Sequence, residues 1–422
     1  MKQITGLRKN LIYARLAVHV TIKYLFKVAP WNYPNFLRRA LILLLNFHHN
    51  KIIKTFNGFK LQLYLPAYPS KAFFYALEGK LLRKPPSPVT IVFSMTKACN
   101  YKCPHCYQMN DKGVDLEERK LIETLLKVRD KGVAMFDIEG GEPFLRFERL
   151  TKLLQSLDER SEIWVNTTGA HLSKEKLQIL KDNRLFGLMI SIHSPDPHIH
   201  DDFTGIESSF DVACKAVQLC KEFGLVAAIN CVLSEDELKE GKLEDLMKLS
   251  KDLGADFVQL IHPKPSGKWL DKKDHMQKEK DFIKKIEQAH LLYNSKEKLD
   301  YPSLSAQVFE ERIDGLGCTA GAVDRFYINA AGEVQPCEFL NISFGNVTEE
   351  DFEVIYNRMR SYFREPCTNW LCCTQAENIS ALMKKYNLKT TPIPWKYTIE
   401  LVDNLDRGNK TPLYTKLRIY NT

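Results

Sequence analysis

Three cysteines, Cys99, Cys103 and Cys106, fall within eight positions of the stretch FSMTKACNYKCPHCYQ, residues 93–108. Thiolates gathered so closely on one loop form a soft ligand set for an inorganic centre, and their number is informative. A zinc site or an electron-transfer cluster is normally closed by a fourth cysteine. A four-iron cluster held by three keeps one iron open to chelation by a small molecule. A second group of thiols, Cys318, Cys337, Cys367, Cys372 and Cys373, lies far along the chain.

The composition supports metal binding over disulfide bonding. The chain has 422 residues, 44% of them hydrophobic and 11% aromatic, enough for two or three domains and a sizeable core. Its eleven cysteines are odd in number and unevenly clustered. No signal-peptide pattern opens the chain, so the expected location is cytoplasmic. Charge is also uneven. Residues 1–77 hold twelve basic side chains and no acidic one, the first acid being Glu78, whereas the rest of the chain carries 48 basic and 52 acidic residues.

The elements that must position the thiols divide the chain into four parts. Residues 1–84 read as a basic module of two amphipathic helices, roughly 7–28 and 35–48, followed by a hairpin around Asn57-Gly58. The proline-rich KPPSP at 84–88 punctuates it. Across 85–300, short apolar runs (VTIVFSM, AMFDIE, EIWVNT, FGLMISIH, LVAAINCVL, DFVQLIH) alternate with helical patterns at 115–131, 146–158, 173–183, 208–223, 241–253 and 274–294. Six strand–helix repeats predict an α/β fold, a parallel sheet curved into a partial (β/α)6 barrel, with its chemistry at the C-terminal ends of the strands. Residues 301–373 form a cysteine-rich extension, and 374–422 a mixed tail.

The C-x3-C-x2-C spacing directly after the first of these strands, with aromatic His105 before the last cysteine, resembles the radical S-adenosylmethionine superfamily. The resemblance implies that Cys99, Cys103 and Cys106 hold a [4Fe-4S] cluster. Its open iron would bind the amino and carboxylate groups of S-adenosylmethionine, and reductive cleavage would give a 5′-deoxyadenosyl radical that abstracts hydrogen from substrate. An external electron donor such as ferredoxin or flavodoxin is implied as well. Gly140-Gly141-Glu142-Pro143, after the second strand, looks like the family's GGEP motif. Its glycines would allow close backbone approach, with Glu142 and the strand edge as acceptors for the methionyl ammonium. By the same resemblance Asn166, in VNTTG, is placed to bond the ribose, and Ser191, in ISIHS, the methionyl carboxylate. LIHPKPSG, with Leu260 and Ile261, resembles the region that packs on the adenine.

The stretch SIHSPDPHIHDDFTG departs from the family pattern, with His193 where Asp is usual and Asp202 where Arg is usual. His198, His200, Asp201 and Asp202 are read as a solvated loop in preference to a second metal site. Cys214, Cys220 and Cys231 are read as buried small hydrophobes. No substrate-side catalytic residue is assigned; His193 is a weak candidate for a radical quencher or proton donor.

The second thiol group opens as Cys318, thirteen residues, Gly332, four residues, Cys337, with strand-like FYIN and EVQPC around an Ala-Gly turn, a hairpin that would bring Cys318 and Cys337 together. This resembles the SPASM and twitch extensions of the superfamily, which hold auxiliary four-iron clusters. Five cysteines suffice for one fully ligated cluster, which favours the shorter twitch type. The implied ligands are Cys318, Cys337, Cys367 and either Cys372 or Cys373, with zinc as the alternative occupant, since ligand softness does not separate the two.

Such enzymes are best known for modifying peptides and proteins, which makes these the expected substrates. A lipid is the other candidate, because the basic module mixes Lys and Arg with Leu, Tyr, Phe and Trp31 in the manner of a helix lying on an anionic membrane surface at its cytoplasmic face. Packing of these helices on the barrel is the plainer reading. A nucleic-acid substrate ranks lower, as no recognised motif accompanies the charge. A non-catalytic zinc module conflicts with the open three-cysteine loop.

Overall fold

The computed structural model describes residues 2–271 and 280–420. Strands β1 (Lys2–Ile4), β2 (Ile52–Thr55) and β3 (Gly58–Lys60) form a small antiparallel sheet in that order, the last two joined through Phe56 and Asn57. Six apolar runs then become β4 (Thr90–Ser94), β5 (Met135–Glu139), β6 (Glu162–Thr167), β7 (Leu185–Ser191), β8 (Val226–Val232) and β9 (Phe257–Ile261). Each pairs in parallel with the one before it. Their near-continuous apolar character reflects burial on both faces, as helices cover one side and the barrel interior the other. The covering helices, among them Glu118–Asp130, Phe147–Ser156, Lys174–Asp182, Ser209–Glu222 and Lys242–Asp252, occupy the segments expected of them. Of the helix expected over 274–294, residues 280–293 are helical, and its first turn lies outside the described residues.

The sheet is wider than six strands. β10 (Ser303–Ala306) adds in parallel beyond β9. At the other edge β11 (Arg325–Ile328) pairs in parallel with β4 and carries β12 (Val334–Gln335) antiparallel to itself. The cysteine-rich segment is therefore continuous with the barrel sheet. β10 was missed because SLSA is short and half polar, with no apolar run to mark it.

A second difference concerns PDPHIHDDFTG. It is no solvated loop: Pro197–Thr204 is a helix. The Asp196 carboxylate caps it by accepting from the His198 and Ile199 N–H groups at 2.9 and 3.2 Å. Pro197 opens its first turn and Gly205 terminates it with φ 69°. The Asp201 carboxylate accepts from Ser208 N, Ser209 Oγ and Phe210 N at 2.6–2.9 Å, so it caps the next helix.

The N-terminal module packs against the base of the barrel. Ile53, Leu63 and Ala67 join Met135, Trp164, Phe186, Val226 and Phe257, at the N-terminal ends of the strands, in one buried cluster. Lys60, fully buried, ion-pairs with Glu162 beneath them and donates to the Leu65 carbonyl at 2.6 Å. Helices Gly6–Tyr24 and Tyr33–Leu45 turn Leu16, Val20, Tyr24, Phe36 and Leu43 inward, where they meet Tyr414 and Leu417 of the C-terminal helix Pro412–Leu417. Several of the cations that the sequence placed on the surface are in fact spent on backbone carbonyls. Lys9 reaches His48 O, Arg38 reaches Lys416 O, Arg39 reaches Arg418 O, and buried Lys51 reaches Lys298 O and Tyr301 O. The opposite face of the first helix exposes Leu7, Leu11, Val18 and Ile22, continued by Phe26 (94% exposed) and Trp31 (78% exposed). Among the described residues, no helix is long and apolar enough to cross a membrane.

Candidate active site

The C-terminal ends of β4 to β9 open onto a cavity of about 490 Å³, within the range of small-molecule sites. Cys99, Cys103 and Cys106 line it together with Gly140, Gly141, Asn166 and Ser191. The cysteine loop reaches this position because the turn after β5 lies directly under it. Gly141 N–H donates to Thr96 O at 2.8 Å and Glu142 N–H to Ala98 O at 2.7 Å. A Cβ on Gly140 would stand 2.5 Å from Thr96 O, and one on Gly141 2.3 Å from Ala98 O and 2.7 Å from Cys99 Cβ. The paired glycines therefore serve first to seat the cysteine loop.

Glu142 and Pro143 do not line the cavity. The Glu142 carboxylate is fully buried and turned away, accepting from Phe144 N (3.1 Å), Thr167 Oγ1 (2.8 Å), Thr168 N (2.8 Å) and Thr168 Oγ1 (2.6 Å). With both oxygens occupied it braces the β5 and β6 turns against each other. Its side chain is thus not free to accept from an ammonium group in the cavity. Ile261 faces the cavity, while Leu260 belongs to the core.

His105 stands behind Cys106 in an aromatic cage, its ring 4.7 Å from that of His193, 4.9 Å from Phe203 and 5.8 Å from Trp269. Burial lowers the His105 pKa to about 4, and burial with the two neighbouring imidazoles holds His193 well below its ordinary value. Both rings are neutral near pH 7. His200 Nδ1 accepts from the His193 backbone N–H at 3.1 Å and Asp201 caps the next helix, so both are engaged in local structural bonds.

Burial and mutual repulsion push the Cys103 and Cys106 thiols up to about 12 and about 11, and Cys99 is raised by burial. Three crowded thiols that resist ionisation unaided fit a cationic centre able to displace their protons. Deeper in the barrel, burial raises Glu139 to about 8 despite the Tyr107 hydroxyl that donates to it, and Asp137 to about 7. Glu139, Asn230, His262 and Lys264 also line the cavity and were not singled out from the sequence. Alternation along parallel strands was the signal available for Glu139, the last residue of β5, and Asn230, two residues before the end of β8.

The second thiol group gathers at the open edge of the barrel. Cys318 and Cys367 exchange backbone hydrogen bonds. Gly321 N–H donates to Pro336 O at 2.8 Å, drawing the segment after Cys318 to the one before Cys337. The Cys372 and Cys373 sulfurs are 4.0 Å apart, and the Cys373 thiol together with burial raises Cys372 well above its ordinary value. Arg325 Nη2 lies 3.9 Å from Cys337 Sγ. Cys318 thus has Cys367 as a backbone partner, which the hairpin pattern did not suggest. Among the described residues no three His, Cys, Asp or Glu side chains converge as they would around one metal ion. The donors here are all sulfur, which suits a multi-iron cluster.

Comparisons with known proteins agree with this geometry. The family model of the radical SAM superfamily matches residues 93–249, and that of the SPASM iron–sulfur cluster-binding domain matches 318–377. The antilisterial bacteriocin subtilosin biosynthesis protein AlbA of Bacillus subtilis is 27% identical over 284 residues, 64% of this chain and 60% of that protein's length. The AdoMet-dependent heme synthase of Nitratidesulfovibrio vulgaris is 24% identical over 306 residues, 66% of this chain and 81% of its own. Streptococcus suis SuiB, in its crystal structure bound to precursor peptide SuiA, shares the fold with a TM-score of 0.52 at 18% identity, covering 71% of this chain and 73% of that one.

Proposed function

We propose that this chain, which belongs to the radical S-adenosylmethionine superfamily and carries a SPASM iron–sulfur domain, abstracts hydrogen from a peptide or protein substrate. Its cofactors are a [4Fe-4S] cluster, S-adenosylmethionine and an auxiliary iron–sulfur cluster. Bound together, the first two supply a 5′-deoxyadenosyl radical. The observation that carries the reading is the single cavity shared by the three thiols of 99–106 and the inner ends of β5 to β9.

In this reading Cys99, Cys103 and Cys106 ligate the first cluster and leave its fourth iron open. Gly140 and Gly141 hold the loop in place, and the strand edge offers carbonyls to the methionyl ammonium. Asn166 and Ser191 turn polar groups toward ribose and carboxylate. His105, neutral and caged, excludes water from the thiols. Cys318, Cys337, Cys367 and one of Cys372 or Cys373 ligate the auxiliary cluster.

A peptide substrate is supported by AlbA, whose name gives a bacteriocin as its product, and by SuiB, whose structure holds a precursor peptide. The exposed Leu7, Leu11, Val18, Ile22, Phe26 and Trp31 beside Arg8, Arg15 and Lys27 support attachment of the N-terminal module to an anionic membrane surface, where the reaction would take place. Reconstituted enzyme, S-adenosylmethionine and a low-potential reductant are mixed with the peptide or the lipid fraction of cells grown in deuterated medium, and 5′-deoxyadenosine is analysed by mass spectrometry. Deuterium entering it from the peptide fraction is expected; deuterium from the lipid fraction alone would overturn the peptide reading.

A further inference from the structure

Lys264, three residues beyond β9, stands in the wall of the S-adenosylmethionine cavity on the side of the second thiol group. Its side chain is buried, with 5% of the residue exposed, and its Nζ has no hydrogen-bond acceptor among the described residues. An ammonium carries three N–H donors, and burying it without an anion is costly. What holds it is the indole of Trp370, with Nζ 4.1 Å from the ring centroid. Once ionised, Cys372 and Cys373 would favour its charge more than Glu311 does, while Arg325 opposes it. The nearby carboxylates are engaged elsewhere, because Arg325 pairs with Glu311 at 2.7 Å and faces Glu338 at 3.8 Å. Among the described residues no carboxylate hydrogen-bonds Lys264 Nζ, so its charge has no direct anionic partner on the Cys372–Cys373 side.

We propose that Lys264 is the counter-ion of the auxiliary iron–sulfur cluster and, as a positioning residue, raises its reduction potential. This rests on the reading that Cys318, Cys337, Cys367 and one of Cys372 or Cys373 hold that cluster. A cluster gains one negative charge on reduction, so a fixed cation in this water-poor wall stabilises the reduced form more than the oxidised one.

The test uses the full chain with Cys99, Cys103 and Cys106 changed to alanine, so that only the auxiliary cluster loads, and follows its reduction by EPR during an anaerobic redox titration. Lys264→Met is expected to lower the reduced-to-oxidised ratio at a fixed potential at least tenfold, which is 59 mV for a one-electron couple. Lys264→Arg is expected to stay within threefold of the parent. Equal iron content and an unchanged potential in Lys264→Met would overturn the inference alone. A parent that loads no iron would sink the auxiliary-cluster reading and the inference with it. Should Lys264→Met fail to load, Lys264→Gln carries the same expectation and the same refutation.

Discussion

Cys318 and Cys367, forty-nine residues apart, meet across two backbone hydrogen bonds, 2.8 Å from Cys318 N to Cys367 O and 3.1 Å from Cys367 N to Cys318 O. The pairing fixes both thiols on one side of the cysteine-rich domain, where the neighbouring Cys318 lowers the Cys367 pKa to about 7. Either Cys318→Ala or Cys367→Ala should cut the iron content of reconstituted protein from about eight to about four per chain, with the site at Cys99, Cys103 and Cys106 still loaded. Iron and sulfide quantitation checks this, and full loading of either variant would remove the pair from the ligand set.

Glu142 makes a prediction about stability rather than cofactor contact. Four donors from Phe144, Thr167 and Thr168 converge on its buried carboxylate. Glu142→Ala strands them and should cost about 3 kcal/mol in chemical denaturation. A loss below about 1 kcal/mol would mean that the turns hold without the brace.

Lys60 and Glu162 form an ion pair at the base of the barrel, with side chains 0% and 3% exposed. Removing one partner leaves an uncompensated buried charge. Lys60→Met should therefore destabilise by about 3–5 kcal/mol, whereas Lys60→Met combined with Glu162→Leu should recover most of it. The pair of denaturation curves distinguishes this from simple loss of packing, in which the double variant would be worse than either single one.

Glu310 gives a pH dependence. Burial raises its pKa to about 7, against the hydrogen bonds it accepts from Ser305 Oγ and Gln62 Nε2 at 2.8 Å each. The folded state thus binds its proton more tightly than the unfolded state, so this contribution to stability is present below the ordinary carboxyl range and is lost as pH rises through about 7. Melting temperature should fall between pH 5 and pH 8, and Glu310→Gln should flatten that fall. An equal slope in the variant would assign the dependence to other groups.

The exposed stripe on the first helix predicts vesicle binding. The protein should co-sediment with vesicles rich in phosphatidylglycerol and not with phosphatidylcholine alone, and Leu11→Glu with Val18→Glu should abolish it. Equal behaviour toward both lipids, or dimerisation that covers the stripe, would contradict the membrane reading.

The six central strands, their helices and the 99–106 thiol loop were legible because parallel strands buried on both faces leave apolar runs of a length that helices do not. Asp196-Pro197 and Gly205 carried the cap signals of a helix, but His198, His200, Asp201 and Asp202 between them suggested a loop. Glu142 sat in the right motif with its side chain turned the other way, since spacing alone does not reveal which groups saturate a carboxylate. Lys264 was illegible as a site residue, and Glu139 showed only in the alternation of its strand. Their importance comes from burial and from partners distant in sequence, neither of which a local pattern encodes. The basic module showed its charge plainly, yet the targets of Lys51 and Lys60 lie more than one hundred residues away.

The central claim is best tested by anaerobic reconstitution, with 5′-deoxyadenosine release measured under a strong reductant in the wild type and in the variant with Cys99, Cys103 and Cys106 all changed to alanine. The account predicts about eight irons per chain and release in the wild type, about four irons and no release in the variant. Zinc in place of iron, or no cleavage by a fully loaded wild type, would contradict it.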